Sequence, residues 1–373
     1  MKQKSQTFTL ALVAAFFLSA CGIADYSTEN MEIAIPSTQM AIVQIGNGGA
    51  EVFHYQSVPV LEPGEGQVLV KVVATAINPI ERRNRVGGGR PPQGGGPARG
   101  AAPSDPQPTL PGGDLSGIVV KLGEGVTNLQ VGDAVFSKVA IGGGGVDGLN
   151  GAYSEYVITR ADHTNLKPAD QTFAEASGLG TVGVTALRTI WHADVQEGDR
   201  VFINGIGGGI GSSAAQFALE RGAYVLGTAS ARHHAHLYSI GVDEVIDYRE
   251  VQFDEVIQEP VDVVIETVST ATANQALNIL RPGGKLVSIA GAADPDMCDT
   301  KAVDCSRIGG EFGWPNTQML AEVAQLAWDG HYRLNVDATF PLEQAAAAQD
   351  QNYNVGTSGK VVLIVDAELA NQY

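Results

Sequence analysis

Residues 200–230 read RVFINGIGGGIGSSAAQFALERGAYVLGTAS. Val201, Phe202 and Ile203 form a short apolar run of the kind found in a parallel strand covered on both faces. Gly205 to Gly211 then place five glycines in seven positions. Residues without a Cβ permit a tight turn and let backbone N–H groups approach a pyrophosphate closely. A helix beginning near Gly211 would aim its positive end at that phosphate, with Ala214, Ala215, Phe217, Ala218 and Leu219 as its apolar face. Gly222 ends it, and Ala223–Leu226 supplies the second strand. The glycines fit G-x-x-G-x-x-G through Gly205, Gly208 and Gly211, and the strand–turn–helix–strand context reads as a βαβ dinucleotide site.

The end of the second strand selects the dinucleotide. An acid there would hold a ribose 2′-hydroxyl. This chain has Thr228-Ala229-Ser230-Ala231-Arg232 instead, a small hydroxyl and a guanidinium that suit a 2′-phosphate, so NADPH is the expected cofactor. The neighbouring His233, His234 and His236 lack a cysteine or carboxylate at ligand spacing and are read as a polar helix face, not a metal site.

The 373 residues suffice for two domains, and 44% hydrophobic content fits a globular chain. A formal net charge of −18 argues against nucleic acid as a partner. The N-terminus stands apart. Lys2 and Lys4 precede the apolar run Phe8–Leu18, and Leu18-Ser19-Ala20-Cys21 resembles a bacterial lipoprotein signal box. The expectation is a signal peptide over residues 1–20, lipid on Cys21 as the membrane anchor, a polar tether over 21–38, and a periplasm-facing protein. A leader that does not function as a signal would leave the protein cytoplasmic. In an oxidising compartment Cys298 and Cys305 either pair or remain free thiols, and their spacing does not decide between the two.

Between residues 39 and 170 the chain reads as short strands and turns: Ala41–Ile45, Gln67–Ala76, Gly117–Leu122, Asp133–Phe136 and Tyr153–Thr159. Gly87–Pro111 is dense in glycine and proline and reads as a long loop beside a substrate entrance, or as simple low-complexity chain. From Gln171 to Asp329 helices and strands alternate, the pattern of a doubly wound parallel sheet. Phe173–His192 is largely helical despite Gly178, Gly180 and Gly183. Glu244–Asp247, Val261–Glu266 and Lys285–Ala290 are further strands, Gln318–Gly330 is a helix, and Gly359–Val365 is a last strand.

Taken together, these segments resemble the zinc-independent quinone oxidoreductase branch of the medium-chain dehydrogenase/reductases, from about Met40 to Asp366. The resemblance rests on Ala76-Ile77-Asn78-Pro79 with the charged run Glu81–Arg85; Leu110-Pro111-Gly112-Gly113-Asp114-Leu115-Ser116-Gly117; Gly132–Phe136; Gly151–Val157; the glycine turn; and Ser358–Leu363. It implies an α/β chain with a GroES-like β-rich catalytic domain, a Rossmann-like domain, a cleft between them, and a tail over 330–373 that returns to the catalytic domain. It also implies a homodimer.

Zinc-using relatives carry a ligand cysteine where this chain has Asn78, and a His-Glu pair where it has Gly113-Asp114. The chain has no cysteine between Cys21 and Cys298, so no metal is expected. Without a Lewis acid, an already electrophilic small-molecule acceptor is favoured, a quinone or a carbonyl-conjugated alkene. The resemblance places Asn78 and Thr185 near the nicotinamide, with Asn78 either an oxyanion donor or a structural turn residue before Pro79. The expected cofactor cradle is Gly205, Gly207, Gly208, Gly209, Ile210, Gly211, Ser230, Arg232, Tyr248, Val268, Ala290 and Lys360. Arg83 and Arg85 are read as a solvated charged face. Some enoyl reductases of this superfamily use a tyrosine after the Asn-Pro as proton donor. None lies between Asn78 and Gly151, which leaves water as the expected proton source, and Tyr153 is read as packing within its domain. A second reading of the whole chain, motivated by the export signal, is a catalytically silent nucleotide-binding or scaffold lipoprotein on the same fold.

Overall fold

The computed structural model describes residues 34–87, 107–139, 149–308, 317–354 and 357–372. The expected signal peptide, Cys21 and most of the tether, together with the centre of the Gly/Pro-rich stretch, lie outside the described residues.

From Ile35 onward the chain builds three sheets. β1 (Thr38–Ile45) pairs antiparallel with β2 (Phe53–Pro59) and, at its far end, with the short β4 (Pro108–Thr109). β3 (Gln67–Ala76) is the spine of the second sheet. Its central residues are almost fully buried, because strands lie on both sides of it. Pro79–Arg85 forms helix α1 directly after β3, with proline at its first turn, where no N–H is needed. β5 (Asp114–Leu122), β6 (Ala134–Lys138), β7 (Tyr156–Arg160) and β8 (Thr164–Leu166) complete this side of the sheet.

Helix α2 (Phe173–Ala176) leads into a π-helical turn over Leu179–Gly183 and then α3 (Val184–Ala193). Gly180 and Gly183 explain why the helical periodicity of this stretch is interrupted. A Cβ on Gly183 would lie 2.6 Å from Val323 and one on Gly180 2.9 Å from Asp114, so the turn is packed tightly on both flanks.

β9 (Arg200–Asn204), α4 (Gly209–Glu220), β10 (Tyr224–Thr228), α5 (His234–Ser239), β11 (Glu244–Ile246), α6 (Phe253–Val256), β12 (Val261–Glu266), α7 (Thr270–Ala276), β13 (Leu280–Ser288), α8 (Pro295–Lys301) and β14 (Asp304–Arg307) follow. Their six strands form one parallel sheet in the order β11-β10-β9-β12-β13-β14, doubly wound as the alternation of helices and strands implies. Val201, Ile203, Val225, Val263 and Ile265 bury one face of it, and Phe202, Leu226 and Val264 the other. The mixed α/β fold with a GroES-like and a Rossmann-like part is thereby established.

Helix α9 (Thr317–Trp328) packs its Leu320, Val323 and Ala327 into the core of the parallel sheet. The tail then supplies β15 (Val336–Pro341), α10 (Ala345–Asn354) and β16 (Lys360–Ile364). β16 pairs antiparallel with β3, so the last strand joins the second sheet. Cys298 of α8 and Cys305 of β14 are disulfide-bonded, which settles the choice left open between paired and free thiols.

Candidate active site

The glycine turn lies at the carboxyl end of β9. Gly205 has φ +79°, and a Cβ there would meet the Thr267 hydroxyl at 2.5 Å. Gly211 allows the closest approach, since its Cβ would fall 2.3 Å from the Gly205 carbonyl oxygen. Gly208 opens α4 and no side chain caps the helix, so its first N–H groups face the turn uncapped. These features fit a bound pyrophosphate: a turn that only glycine packs this tightly, and uncapped donors.

Three carboxyl-end loops surround the turn. Thr228 accepts from the Gly205 N–H at 3.0 Å and donates its hydroxyl to Asn204, whose amide donates to Glu266 at 2.9 Å. Glu266 in turn accepts from the Val268 and Ser269 N–H groups at 2.5 and 3.0 Å. Burial raises its carboxyl above the usual range, opposed by these donors. A single chain of hydrogen bonds thus fixes the glycine turn to the loop carrying Val268, which is exposed beside Gly205. Ala290 is exposed at the end of β13. Glu266 and Asn204 were missed by the sequence reading; a charged residue closing an apolar strand, VDVVIE, was the available signal.

The side expected to take the adenosine is organised by Asp247. Its two carboxylate oxygens accept from the Ala231 and Arg249 N–H groups, each at 2.9 Å, and so tie the turn bearing Ser230 and Arg232 to the turn bearing Tyr248. Ser230 is buried, whereas Arg232 and Tyr248 are exposed, with the Arg249 guanidinium 5.7 Å from the Tyr248 ring centre. The histidines do not form the expected polar helix face. His233 is buried against Gly207, where a Cβ would lie 2.9 Å from its ring, and His236 is half-buried. The tight packing of the glycine turn draws that ring inward.

The tail reaches the same turn. Gly359 N–H donates to the Gly207 carbonyl at 3.1 Å, and Lys360 extends past Gly209, whose Cβ would fall 3.2 Å from Lys360 Cδ. The Lys360 ammonium donates to the Ile77 carbonyl and to Asn78 Oδ1, the latter at 2.8 Å. Burial lowers its pKa, against the attraction of Asp114 and Glu81.

Asn78 is only 2% exposed. Its Nδ2 donates to Asp114 Oδ2 at 2.8 Å, and the other oxygen of Asp114 accepts from the Thr181 N–H and hydroxyl at 3.0 and 2.8 Å. Thr185 donates to the Thr181 carbonyl at 2.7 Å. Asn78 and Thr185 therefore meet through Asp114 and the π-helical turn. Both ends of the Asn78 amide are engaged within the protein, so donating to a substrate requires one of these bonds to open. Glu81 accepts from the Asn78 N–H at 2.9 Å and the Tyr153 hydroxyl at 2.6 Å, and burial raises the pKa of both Glu81 and Tyr153.

The expected solvated face on α1 holds for Arg83 alone. Arg85 is 1% exposed, paired with Asp350 of α10 and 5.4 Å from the Phe53 ring centre. The returning tail covers it, which the local charge pattern does not reveal. Among the described residues, no group of three His, Cys, Asp or Glu side chains is placed to hold a metal ion.

Residues 64–169 match the alcohol dehydrogenase GroES-like domain, and residues 240–363 match the family described as zinc-binding dehydrogenase. The chain is 31% identical over 334 residues to the quinone oxidoreductase of Sus scrofa, covering 85% of this chain and 95% of that one. It is 31% identical over 267 residues to the chloroplastic NADPH-dependent alkenal/one oxidoreductase of Arabidopsis thaliana, covering 71% and 66%. The solved quinone oxidoreductase of Coxiella burnetii superposes with TM-score 0.75 at 30% identity, covering 88% of this chain and all of that one. A GroES-like sheet joined to a doubly wound sheet, with a glycine turn at their boundary, is the architecture of a medium-chain oxidoreductase. The chain belongs to the medium-chain dehydrogenase/reductase superfamily, among its quinone oxidoreductase-like members.

Proposed function

We propose that this protein is an NADPH-dependent reductase that delivers a hydride to a quinone or a carbonyl-conjugated alkene without a catalytic zinc. The observation that carries the zinc-free reading is Asn78. It stands where zinc-using relatives place a cysteine, and its amide is bonded to Asp114 and Lys360. An amide in that network is a poor substitute for a thiolate ligand.

The pyrophosphate would be held by Gly205, Gly207, Gly208, Gly209, Ile210 and Gly211, with Val268, Ala290 and Lys360 around them. The 2′-phosphate would meet Ser230 and Arg232, beside Tyr248 and Arg249. When bound, the dinucleotide supplies the hydride. The protein's part is to orient the acceptor between Asn78 and Thr185, to exclude water from the cleft and to stabilise the developing oxyanion. The names of the pig and Arabidopsis relatives support the two acceptor classes.

From the leader we infer a periplasm-facing lipoprotein of the cell envelope, anchored by lipid at Cys21, or a cytoplasmic protein if the leader is not a functional signal. The Cys298–Cys305 disulfide supports an oxidising compartment. Among the described residues β14 is an edge strand of the parallel sheet, which supports a homodimer.

Purified protein lacking residues 1–20 should oxidise NADPH in the presence of a simple quinone or enone, and NADH more slowly. Tight dinucleotide binding with no acceptor reduced would favour the silent scaffold instead. Mass spectrometry of the native N-terminus tests the lipid on Cys21.

A further inference from the structure

We propose that Lys138 is a catalytic residue of this reductase: its ammonium gives the proton that completes reduction of the acceptor. This rests on the hydride-transfer reading above and adds to it the source of the proton.

The placement comes first. Lys138 is the last residue of β6 and lies directly opposite Asp114 of β5 in register, so the two side chains share one face of the sheet. That face meets the π-helical turn. A Cβ on Gly180 would lie 2.9 Å from Asp114 Oδ1 and 3.2 Å from Lys138 Cβ. Asp114 itself joins Asn78 to Thr181, and Thr181 accepts from Thr185. Lys138 therefore sits at the junction between the two residues expected to flank the reacting ring, and it is 4% exposed.

The chemistry requires an acid there. Hydride addition to the β-carbon of an enone leaves an enolate, and addition to a quinone leaves a hydroquinone anion. Each needs one proton. Tyr153 is a poor source, because its hydroxyl is given to Glu81 and burial holds its proton tightly. The Lys360 ammonium is given to Ile77 and Asn78. The charges acting on Lys138 are those of Asp114 of β5, Glu81 of α1, Arg188 of α3 and Lys360 of β16. Burial pushes it down to about 7; the two carboxylates oppose the shift, and Arg188 and Lys360 add to it. An acid of that strength both gives and regains a proton at neutral pH.

The step balances. The Nζ–H bond breaks and the proton joins the enolate carbon or the anionic oxygen. The neutral amine left behind is reprotonated from water, and the acceptor has gained one hydride and one proton.

Lys138→Arg separates donation from charge balance, since a guanidinium keeps the positive charge opposite Asp114 but does not release a proton. Lys138→Met removes both. The wild-type kcat/KM for a quinone or enone should fall above about pH 7. In Lys138→Arg the rate should drop about a hundredfold or more and that pH limb should vanish, with NADPH affinity unchanged by fluorescence titration. A readout independent of turnover is the unfolding free energy of the protein without cofactor. Between about pH 7 and 10 it should rise more steeply in the wild type than in Lys138→Arg, which keeps only the contribution of buried Lys360. Wild-type rate and pH profile in Lys138→Arg would overturn the proposal while leaving the reductase reading intact. A wild-type protein that reduces no quinone or enone overturns both. If Lys138→Met fails to fold, Lys138→Arg alone decides.

Discussion

Asp114 accepts from the Thr181 hydroxyl at 2.8 Å through one carboxylate oxygen and from the Asn78 amide at 2.8 Å through the other. One buried carboxylate thus joins the end of β3 to the turn that opens α3, across the boundary between the GroES-like and Rossmann-like parts. Lys138 and Lys360 supply the compensating charge.

Asp114→Ala should therefore cost more than its own contacts. It leaves two buried lysines without a carboxylate that favours their charge, an arrangement that typically costs about 3–5 kcal/mol. Denaturant unfolding should show a loss of this size. Asp114→Asn should lose less, because an amide still accepts from Thr181. Equal stability of all three forms would contradict the network.

Gly211→Ala places a methyl group 2.3 Å from the Gly205 carbonyl. The turn must open, at about 1–3 kcal/mol. Dinucleotide affinity should fall at least tenfold, measured by protein fluorescence. Gly132→Ala is the control: its φ is positive, at +96°, but nothing stands within 4 Å, so it should strain the backbone locally and leave affinity unchanged.

Arg232→Ala and Arg249→Ala should each weaken NADPH binding about ten- to a hundredfold and leave NADH nearly untouched, the loss of one charge-assisted contact of about 1.5–3 kcal/mol. Isothermal titration with both dinucleotides checks this. Equal losses for NADPH and NADH would reject the 2′-phosphate assignment.

The pH dependence of stability carries a defined sign. The folded pKa of Lys138, about 7, lies below its ordinary value of 10.5. Between these two pH values the unfolded chain holds more protons than the folded one, so stability rises with pH across that window. The contribution is complete above about 10.5 and lost as pH falls through about 7. Chemical denaturation of wild type against Lys138→Met should show the difference widening as pH falls from 10 to 7, the variant being relatively more stable at the lower pH.

Reduction of the disulfide between Cys298 and Cys305 opens a short loop joining α8 to the edge strand β14. The chain-entropy contribution for a loop of this length is about 2 kcal/mol. Thermal unfolding should begin several degrees earlier in reductant, and the Cys298→Ser, Cys305→Ser double variant should be insensitive to it.

Five strands of the parallel sheet were legible because each holds an apolar run near turn residues; β14, DCSR, has no such run and was not. β2 was not, since FHYQSVP is mostly exposed and carries no alternation that marks a buried side. β8 is three residues long, and β15 ends in proline. α10, AAAAQDQNYN, has too few large apolar residues to show a helical stripe. In the site, the glycine turn was plain because its constraint is local. The network of Asn78, Glu81, Asp114, Lys138, Tyr153 and Lys360 was not, because its members come from separate strands and a helix. Only the position of Asp114, Lys138 and Lys360 at the ends of apolar strands marked them as charges destined for burial.

The most direct test is anaerobic spectrophotometry of metal-depleted protein with NADPH and a panel of quinones and enones. The account predicts stoichiometric NADPH loss with at least one acceptor and no rate increase on adding zinc. Bound NADPH that no acceptor oxidises, or activity that appears only with zinc, would contradict it.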